Sequence, residues 1–252
     1  MIEYYAQSHV GLVRKGNEDS YYAPSQSRSK DPQFFLCVAD GLGGHNAGEI
    51  ASQLAVRTLV TFMQNMEGKN QMLDHPFETM QKLFFEANDK IHLLSTESEK
   101  MYGMGTTLTA AVCKKETLSI AHVGDSRAYL CNKEGLVQIT TDHTFVQTLI
   151  QSGQLSEQAA LTHPYRHVIT RAVGIERFLE VDFFEADWSL EDTLLLCSDG
   201  LTNMVEDQEI ERILMDKDPL EKQGTALMNL ALERGGKDNI TLCLARRKED
   251  SK

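Results

Sequence analysis

The stretch FFLCVADGLGGHNAG, residues 34–48, decides how this chain folds. Residues 34–39 are uncharged and apolar, a composition typical of a buried strand, and the run ends at Asp40. Four of the eight residues after Asp40 are glycine, and glycine lets neighbouring backbone segments approach closely. The pattern therefore predicts a carboxylate held at the mouth of a buried strand, with little side-chain bulk around it.

The same pattern recurs at three other aspartates. Asp199 ends the apolar run TLLLCSD, Asp125 lies in the short link HVGDSR between two predicted strands, and Asp238 precedes the apolar run ITLCLA. A single Asp-Gly or Gly-Asp pair usually marks a turn. Four such carboxylates at the ends of buried strands can instead converge in one cleft, because strand ends hold side chains rigidly.

Converging carboxylates without clustered His or Cys indicate a hard divalent cation. Mg²⁺ and Mn²⁺ prefer oxygen ligands, whereas zinc and copper sites use His and Cys. Two such ions about 3.5–4 Å apart can share a water, lower its pKa and produce hydroxide for in-line attack on phosphorus. The carbonyl of Gly41 is a further candidate ligand.

Two other interpretations of the glycine-rich loop fail. A dinucleotide fingerprint needs a glycine at the position of Asn46, and a phosphate-binding Walker loop needs a lysine where Glu49 follows Gly48. The glycines are therefore explained by close backbone packing beside Asp40 and not by a nucleotide.

The charge and composition of the whole chain argue against several classes of protein. The 252 residues carry a formal net charge of −12, which disfavours a nucleic-acid or anionic-membrane partner because either needs a basic face. No apolar run approaches the roughly 20 residues of a membrane span, and the start MIEYYAQSH lacks signal-peptide features. The five dispersed cysteines are typical of buried thiols in a reducing compartment. We therefore expect a cytoplasmic protein with no membrane insertion.

Apolar periodicity predicts an α+β fold. Helices are predicted over 51–66 and 77–94, near 143–161, and over 206–215 and 219–234. Strands are predicted near 106–113, 117–123, 126–131, 135–140, 179–186, 193–198 and 239–245. The short links between early strands indicate antiparallel pairing, and the lack of clean alternation indicates stacked sheets covered by helices. We expect one domain over 1–246 and a charged mobile tail over 247–252.

In these residues the chain resembles the metal-dependent protein phosphatases of type 2C, the PPM family, and in particular the compact bacterial serine/threonine phosphatases. The matching segments, in order, are GLVRKGNEDS (11–20), VADGLGGHNAGE (38–49), GMGTT (103–107), HVGDSR (122–127), TTDHTFVQ (140–147), THP (162–164), CSDGLTNMV (197–205) and GGKDNIT (235–241). The resemblance runs from about residue 9 to 245. It implies a four-layer αββα sandwich, two central antiparallel sheets flanked by helices, with a metal cleft at one edge.

The resemblance also implies roles for individual residues. Asp40, Asp199 and Asp238 match direct ligands of a two-metal centre, with Asp40 bridging and the Gly41 carbonyl completing one sphere. Outer positions that orient metal-bound waters are matched by Glu18, Asp19 and Asn239. Asp125 matches a ligand of a third metal ion. Arg14 matches the arginine that holds the substrate phosphate, a role that suits a guanidinium with two parallel donors.

Some positions depart from the family pattern. Leu42 occupies the place where many eukaryotic relatives carry a histidine, so His45 is the available proton donor; a structural role for His45 and protonation by metal-bound water are the alternatives. Asn203 replaces an acidic ligand of the third metal, which weakens that site. Residues 142–174 resemble a flap beside the cleft that selects substrates, in which His143 and His163 support loop structure.

The resemblance predicts a Mn²⁺- or Mg²⁺-dependent enzyme, with two ions per site and a possible third, that hydrolyses phosphoserine and phosphothreonine in proteins. Hydroxide bridging the two ions would attack, and the phosphoryl group would pass to water. The implied partners are phosphorylated protein substrates and a bacterial Ser/Thr kinase, and the implied enzyme is a monomer. Two alternatives stay open: a non-catalytic phosphoprotein-binding regulator on the same fold, and a small-molecule phosphohydrolase.

Overall fold

Two antiparallel sheets lie face to face at the centre of the molecule. The computed structural model describes residues 1–25, 28–29, 33–43, 47–64, 66–114 and 116–249. The first sheet has the order β3 (Arg28–Ser29), β1 (Ile2–His9), β12 (Ile240–Arg247), β11 (Thr193–Cys197), β8 (Arg127–Asn132), β9 (Gly135–Gln138). The second has the order β10 (Asp182–Asp187), β7 (Thr117–Val123), β6 (Leu108–Lys114), β4 (Phe34–Leu42), β2 (Asp19–Tyr22). A short strand, β5 (Gly105–Thr106), pairs with the end of β4.

Helices cover the outer faces of both sheets. The second sheet is covered by α1 (Ala47–Met63), α2 (Met66–Asp74) and α3 (Pro76–Glu97), followed by a 3₁₀ turn at Glu99–Met101. The first sheet is covered by α6 (Asp199–Thr202), α7 (Asp207–Leu214) and α8 (Leu220–Glu233). Two short helices, α4 (Phe145–Gln151) and α5 (Glu157–Ala160), lie in the segment between β9 and β10.

Both faces of β4 are buried, which explains its uninterrupted apolar sequence. Its even-numbered residues from 34 to 38 pack in the layer between the sheets, together with Leu194 and Leu196 of β11. Its odd-numbered residues from 35 to 39 pack with the apolar sides of α1 and α3. The predicted sandwich of two sheets with helices outside is therefore confirmed, because one strand contributes to two separate cores.

Sheet register explains why distant aspartates meet. In the first sheet, Cys197 at the end of β11 lies opposite Leu242 near the start of β12 and opposite Arg127 at the start of β8. The residues just outside these positions therefore share one edge. In the second sheet, Asp40 near the end of β4 lies opposite Asp19 of β2, at the same edge of the molecule.

The predicted elements differ from the structure in a few places. Four strands, β1, β2, β3 and β5, and two helices, α2 and α6, are not among the predicted elements. The predicted strand over 135–140 ends at Gln138, and the one predicted over 179–186 begins at Asp182. The helical stretch near 143–161 is divided into α4 and α5, since Gly153 adopts a φ of 72° between them. Helix α5 begins after Ser156, whose side chain accepts from the Ala159 N–H, and ends at Ala160.

The structure also bears on the predictions made for the cysteines, for a membrane span and for the C-terminal tail. All five cysteines are free and buried in the structure, which confirms their prediction as small apolar residues. Within the ranges described, no helix combines the length and apolarity that a membrane span requires. Strand β12 extends through Arg247, and the Lys248 N–H donates to the Met1 carbonyl at 2.9 Å, so the tail predicted over 247–252 begins inside the sheet; residues 250–252 lie outside the described part.

Candidate active site

One cavity of about 530 Å³ opens at the edge where the strand ends meet. Predicted site residues that line it are Arg14, Glu18, Asp40, Gly41, Asp125, Asp199, Asp238 and Asn239. Asp19 does not line the cavity and lies behind it, and His45 falls outside the described residues, so the structure does not bear on its proposed role. The sequence therefore brings residues from widely separated segments into one cleft.

Two glycines, Gly41 in β4 and Gly48 in the first turn of α1, allow the helix to start against the strand. A Cβ atom on Gly41 would overlap the carbonyl oxygen of Gly48 and lie 2.6 Å from that of Glu18. A Cβ on Gly48 would in turn lie 2.8 Å from the Gly41 carbonyl. Real Cβ atoms do not approach backbone so closely, so only glycine fits at both positions. This contact explains why Gly41 and Gly48 are glycines.

The backbone of Asp40 is held by two threonines of the GMGTT segment. The Asp40 N–H donates to Thr107 Oγ1 at 2.8 Å, and the Asp40 carbonyl accepts from the Thr107 N–H at 2.8 Å and from Thr106 Oγ1 at 2.9 Å. Thr107 Oγ1 also lies 2.8 Å from Ser126 Oγ, beside Asp125. No site role was predicted for Thr106 or Thr107, although their motif was recognised.

Asp199 follows β11 and opens α6, and its carboxylate is only half satisfied. Oδ2 accepts from Asn203 Nδ2 at 2.9 Å, whereas Oδ1 is buried and has no hydrogen-bond partner among the described residues. A buried carboxylate oxygen without a donor is costly unless a cation or water faces it. Asn203, predicted as a weak third-metal ligand, here donates its amide to Asp199.

Asp238 is paired with Arg14. Arg14 Nη2 donates to Asp238 Oδ2 at 2.7 Å, and Asp238 Oδ1 accepts from the Asn239 N–H at 2.8 Å. Within the described residues, no three His, Cys, Asp or Glu side chains converge closely enough to hold one ion as they stand. To serve as a ligand, the Asp238 carboxylate must bind the ion alongside Arg14 or release Arg14.

Asn239 and Asp19 fix the segments that carry Glu18 and Asp199. Asn239 Nδ2 donates to the carbonyls of Val10 and Gly16, each at 2.9 Å, and its Oδ1 accepts from the Glu18 N–H at 2.7 Å. The loop that carries Arg14 is therefore folded over the Asn239 amide. Asp19 Oδ2 accepts from Ser198 Oγ at 2.8 Å, next to Asp199.

Electrostatics distinguish this cavity from the rest of the surface. Burial, reinforced by repulsion from the other carboxylates, raises the pKa of Asp40, Asp125 and Asp199. Burial likewise raises the pKa of Asp19 to about 7. Such groups resist ionisation together unless positive charge lies between them. The oxygen-only donor set, the raised pKa values and the unsatisfied Asp199 Oδ1 all fit a divalent cation.

The segment 142–174, which we call the flap, contributes residues that were not predicted individually. Arg166, His167 and Ile169 line the cavity, as do Met204 and Lys237, which follow Asn203 and precede Asp238 in the sequence. The only signal for them in the sequence was their place in the variable flap or beside a motif residue. His163 does not line the cavity and contacts the rings of Phe145 and Tyr165.

Comparison with known proteins assigns the family. A model of the protein phosphatase 2C family matches residues 14–244. Because the match covers most of the sequence, the chain belongs to the protein phosphatase 2C family.

Individual relatives agree in sequence and in structure. The chain is 42% identical over 238 residues to the serine/threonine phosphatase stp of Listeria monocytogenes, covering 94% of this chain and 92% of that protein. It matches the crystal structure of the Mycobacterium tuberculosis serine/threonine phosphatase PstP/Ppp with a TM-score of 0.87 and 36% identity, over 98% of this chain and 99% of that one. A structure of the PstP catalytic domain with two manganese ions matches with a TM-score of 0.84 and 35% identity, over 98% and 99%. This protein is accordingly a serine/threonine phosphatase.

Proposed function

We propose that this phosphatase removes phosphate from phosphoserine and phosphothreonine in protein substrates, with Mn²⁺ or Mg²⁺ held by the cavity carboxylates. The observation that carries the proposal is the convergence of Asp40, Asp125, Asp199 and Asp238, from four separate segments, on one cavity that Arg14 also lines. Family membership supplies the reaction class, and the solved relative with two manganese ions supports the choice of metal.

The residues that would hold two ions are Asp40, Asp199, Asp238 and the carbonyl of Gly41, and Asp125 would serve a third. When bound, such ions lower the pKa of a water and neutralise charge that develops on the phosphate. The oxygen ligands presented by these residues suit hard cations. Thr106 and Thr107 orient Asp40 through its backbone, and Asn203 orients Asp199.

Arg14 is proposed to hold the substrate phosphate. Its side chain is 51% exposed at the cavity mouth, so incoming phosphate can reach the guanidinium. Its pairing with Asp238 orients one face of the fork, and the other donors remain available for phosphate oxygens. His45 remains the proposed proton donor for the leaving alkoxide.

The proposal extends to the cellular setting through the family resemblance. It includes a bacterial Ser/Thr kinase whose phosphorylation this enzyme reverses, a cytoplasmic location and a monomeric enzyme. Retention of all four aspartates in the cavity favours catalysis over a purely phosphoprotein-binding role.

The decisive experiment measures phosphate release from a phosphothreonine peptide. Protein with Mn²⁺ should turn over the peptide, and EDTA should abolish release. Asp40→Asn should lose nearly all turnover, whereas Asp89→Asn, at an exposed position on α3, should keep it. Full activity in Asp40→Asn would overturn the proposed site, and faster release from free nucleotides than from phosphopeptides would favour a small-molecule phosphohydrolase.

A further inference from the structure

His143 lies behind the cavity and joins the base of the flap to the turn that carries Asp125. Its backbone N–H donates to the Gly124 carbonyl at 2.7 Å, and its carbonyl accepts from the Thr170 N–H, on the returning side of the flap, at 2.8 Å. The residue is only 5% exposed and does not line the cavity. One backbone unit therefore bonds both the turn and the far end of the flap.

The imidazole ring makes two further hydrogen bonds, one to the turn at Gly124 and one to Asp182. Its Nδ1 accepts from the Gly124 N–H at 3.0 Å, which places the ring proton on Nε2. Nε2 lies 3.1 Å from Asp182 Oδ2, so the ring donates to that carboxylate. Asp182 is itself held by Arg171 Nη1 at 2.8 Å. The carboxylate thus fixes the tautomer that His143 needs to accept from Gly124.

The turn that His143 holds has little room to move. Gly124 has a φ of 115°, and a Cβ atom there would lie 2.5 Å from Thr107 Cβ. Thr107 is the residue that holds the backbone of Asp40, and Asp125 follows Gly124 with only 6% exposure. A shift of Gly124 would therefore displace Asp125 and press on the support of Asp40.

We propose that His143, oriented by Asp182, is a positioning residue that holds the Gly124–Asp125 turn and links the base of the flap to Asp125. The alternative is a histidine that only fills space in the interior. If His143 is a positioning residue, loss of its ring bonds should alter the turn and Asp125. If it only fills space, the same loss should lower the stability of the fold alone. The consequences for metal binding rest on the proposed function, whereas those for the turn itself do not.

A graded set of variants separates the ring bonds. His143→Leu keeps bulk but removes both, while in His143→Asn the side-chain carbonyl still reaches Gly124 but not Asp182. Asp182→Asn removes the charge that orients the ring. The matched control is His163→Asn, since His163 Nδ1 accepts from the Tyr165 N–H at 3.2 Å, a bond of the same kind inside the flap that does not touch the turn.

The first measurement is amide exchange in metal-free protein. Loss of a buried hydrogen bond should speed exchange at Gly124 about 10-fold in His143→Leu, with smaller increases in His143→Asn and Asp182→Asn and none in His163→Asn. If His143→Leu does not fold, the two conservative variants carry the comparison. Unchanged Gly124 exchange in folded His143→Leu, or in Asp182→Asn where His143→Leu does not fold, overturns the proposal.

The second measurement counts free Mn²⁺ by electron paramagnetic resonance during titration. His143→Leu should weaken the weakest class of Mn²⁺ binding about 10-fold, and adding it to Asp125→Asn should leave the remaining binding unchanged, because both act at one position. An equal loss in the Asp125→Asn background would show a general effect and overturn the proposal. Absence of EDTA-sensitive phosphatase activity in the unaltered protein would instead overturn the proposed function and leave the exchange result standing.

Discussion

The buried carboxylate of Asp19 makes a quantitative prediction about the metal-free protein. Asp19 lies opposite Asp40 across β2 and β4, and Asp19 Oδ2 accepts a hydrogen bond from Ser198 Oγ at 2.8 Å. Its Oδ1 is buried and has no hydrogen-bond partner among the described residues. Replacement by asparagine removes the charge while keeping the shape of the side chain, so Asp19→Asn tests the electrostatic cost directly.

The magnitude follows from proton linkage. Burial raises the pKa of Asp19 from its ordinary value of 3.8 to about 7. A group with a raised pKa in the folded state stabilises the fold while protonated, and this contribution is lost as the pH rises through the folded value. With these two pKa values, the free energy of unfolding falls by about 2–3 kcal/mol between pH 5 and pH 8 through this one group.

Urea denaturation in EDTA at pH 5 and at pH 8 measures this difference. Asp19→Asn should reduce the difference in the free energy of unfolding between the two pH values by about 2–3 kcal/mol. The buried amide also costs about 1–3 kcal/mol, but this cost is the same at both pH values and does not affect the difference. Saturating Mn²⁺ should flatten the pH dependence of the unaltered protein, because a cation favours ionised carboxylates. The exposed control Asp89→Asn should keep the full dependence. If Asp19→Asn keeps it too, the electrostatic reasoning is refuted.

Three further predictions follow from the site. Gly41→Ala should lower the free energy of unfolding by about 1–3 kcal/mol and reduce activity, since its Cβ would overlap the Gly48 carbonyl; urea denaturation checks the first and peptide turnover the second. Thr107→Val should lower kcat about 10-fold with little change in KM, because it removes the hydroxyl that accepts from the Asp40 N–H; steady-state kinetics would contradict this by showing a change in KM alone. Arg14→Ala should chiefly raise KM for a phosphopeptide, by about 10-fold or more, and Arg14→Lys should recover only part of the loss because lysine lacks the planar fork; equal kinetics in all three proteins would contradict the phosphate role.

The parts of the fold that sequence predicts well are those set by local composition. Strands β4 and β11 are apolar on both faces because each contributes to two cores, and that is visible as an unbroken run ending in an aspartate. Strand β1 is harder to recognise, because polar residues interrupt its apolar sequence although it lies inside the sheet. Glu3 is buried between Ile2 and Tyr4, and Gln7 is half-buried. Its place in the sheet comes from pairing with β12, almost the full chain length away.

The candidate site shows the same division. Aspartates at strand ends can be recognised from the sequence, whereas the pairing of Asp238 with Arg14 joins residues 224 positions apart and leaves no local signal. Arg166 and His167 reach the cavity only because the flap folds back over it, and no periodic pattern predicts that placement. The role of Thr107 depends on the antiparallel approach of two segments, so its motif could be recognised while its hydrogen bonds to Asp40 could not.

The arrangement of charge and packing explains why metal binding and stability should be linked in this protein. The carboxylates are placed by strands whose apolar cores are complete without them, so the cores can offset repulsion that the cavity alone could not. Burial raises the pKa values of Asp19, Asp40 and Asp199, and that cost is present whenever no cation faces them. A divalent ion that binds only the folded chain removes part of this cost and adds its own binding free energy. Chelation should therefore both stop catalysis and lower the free energy of unfolding.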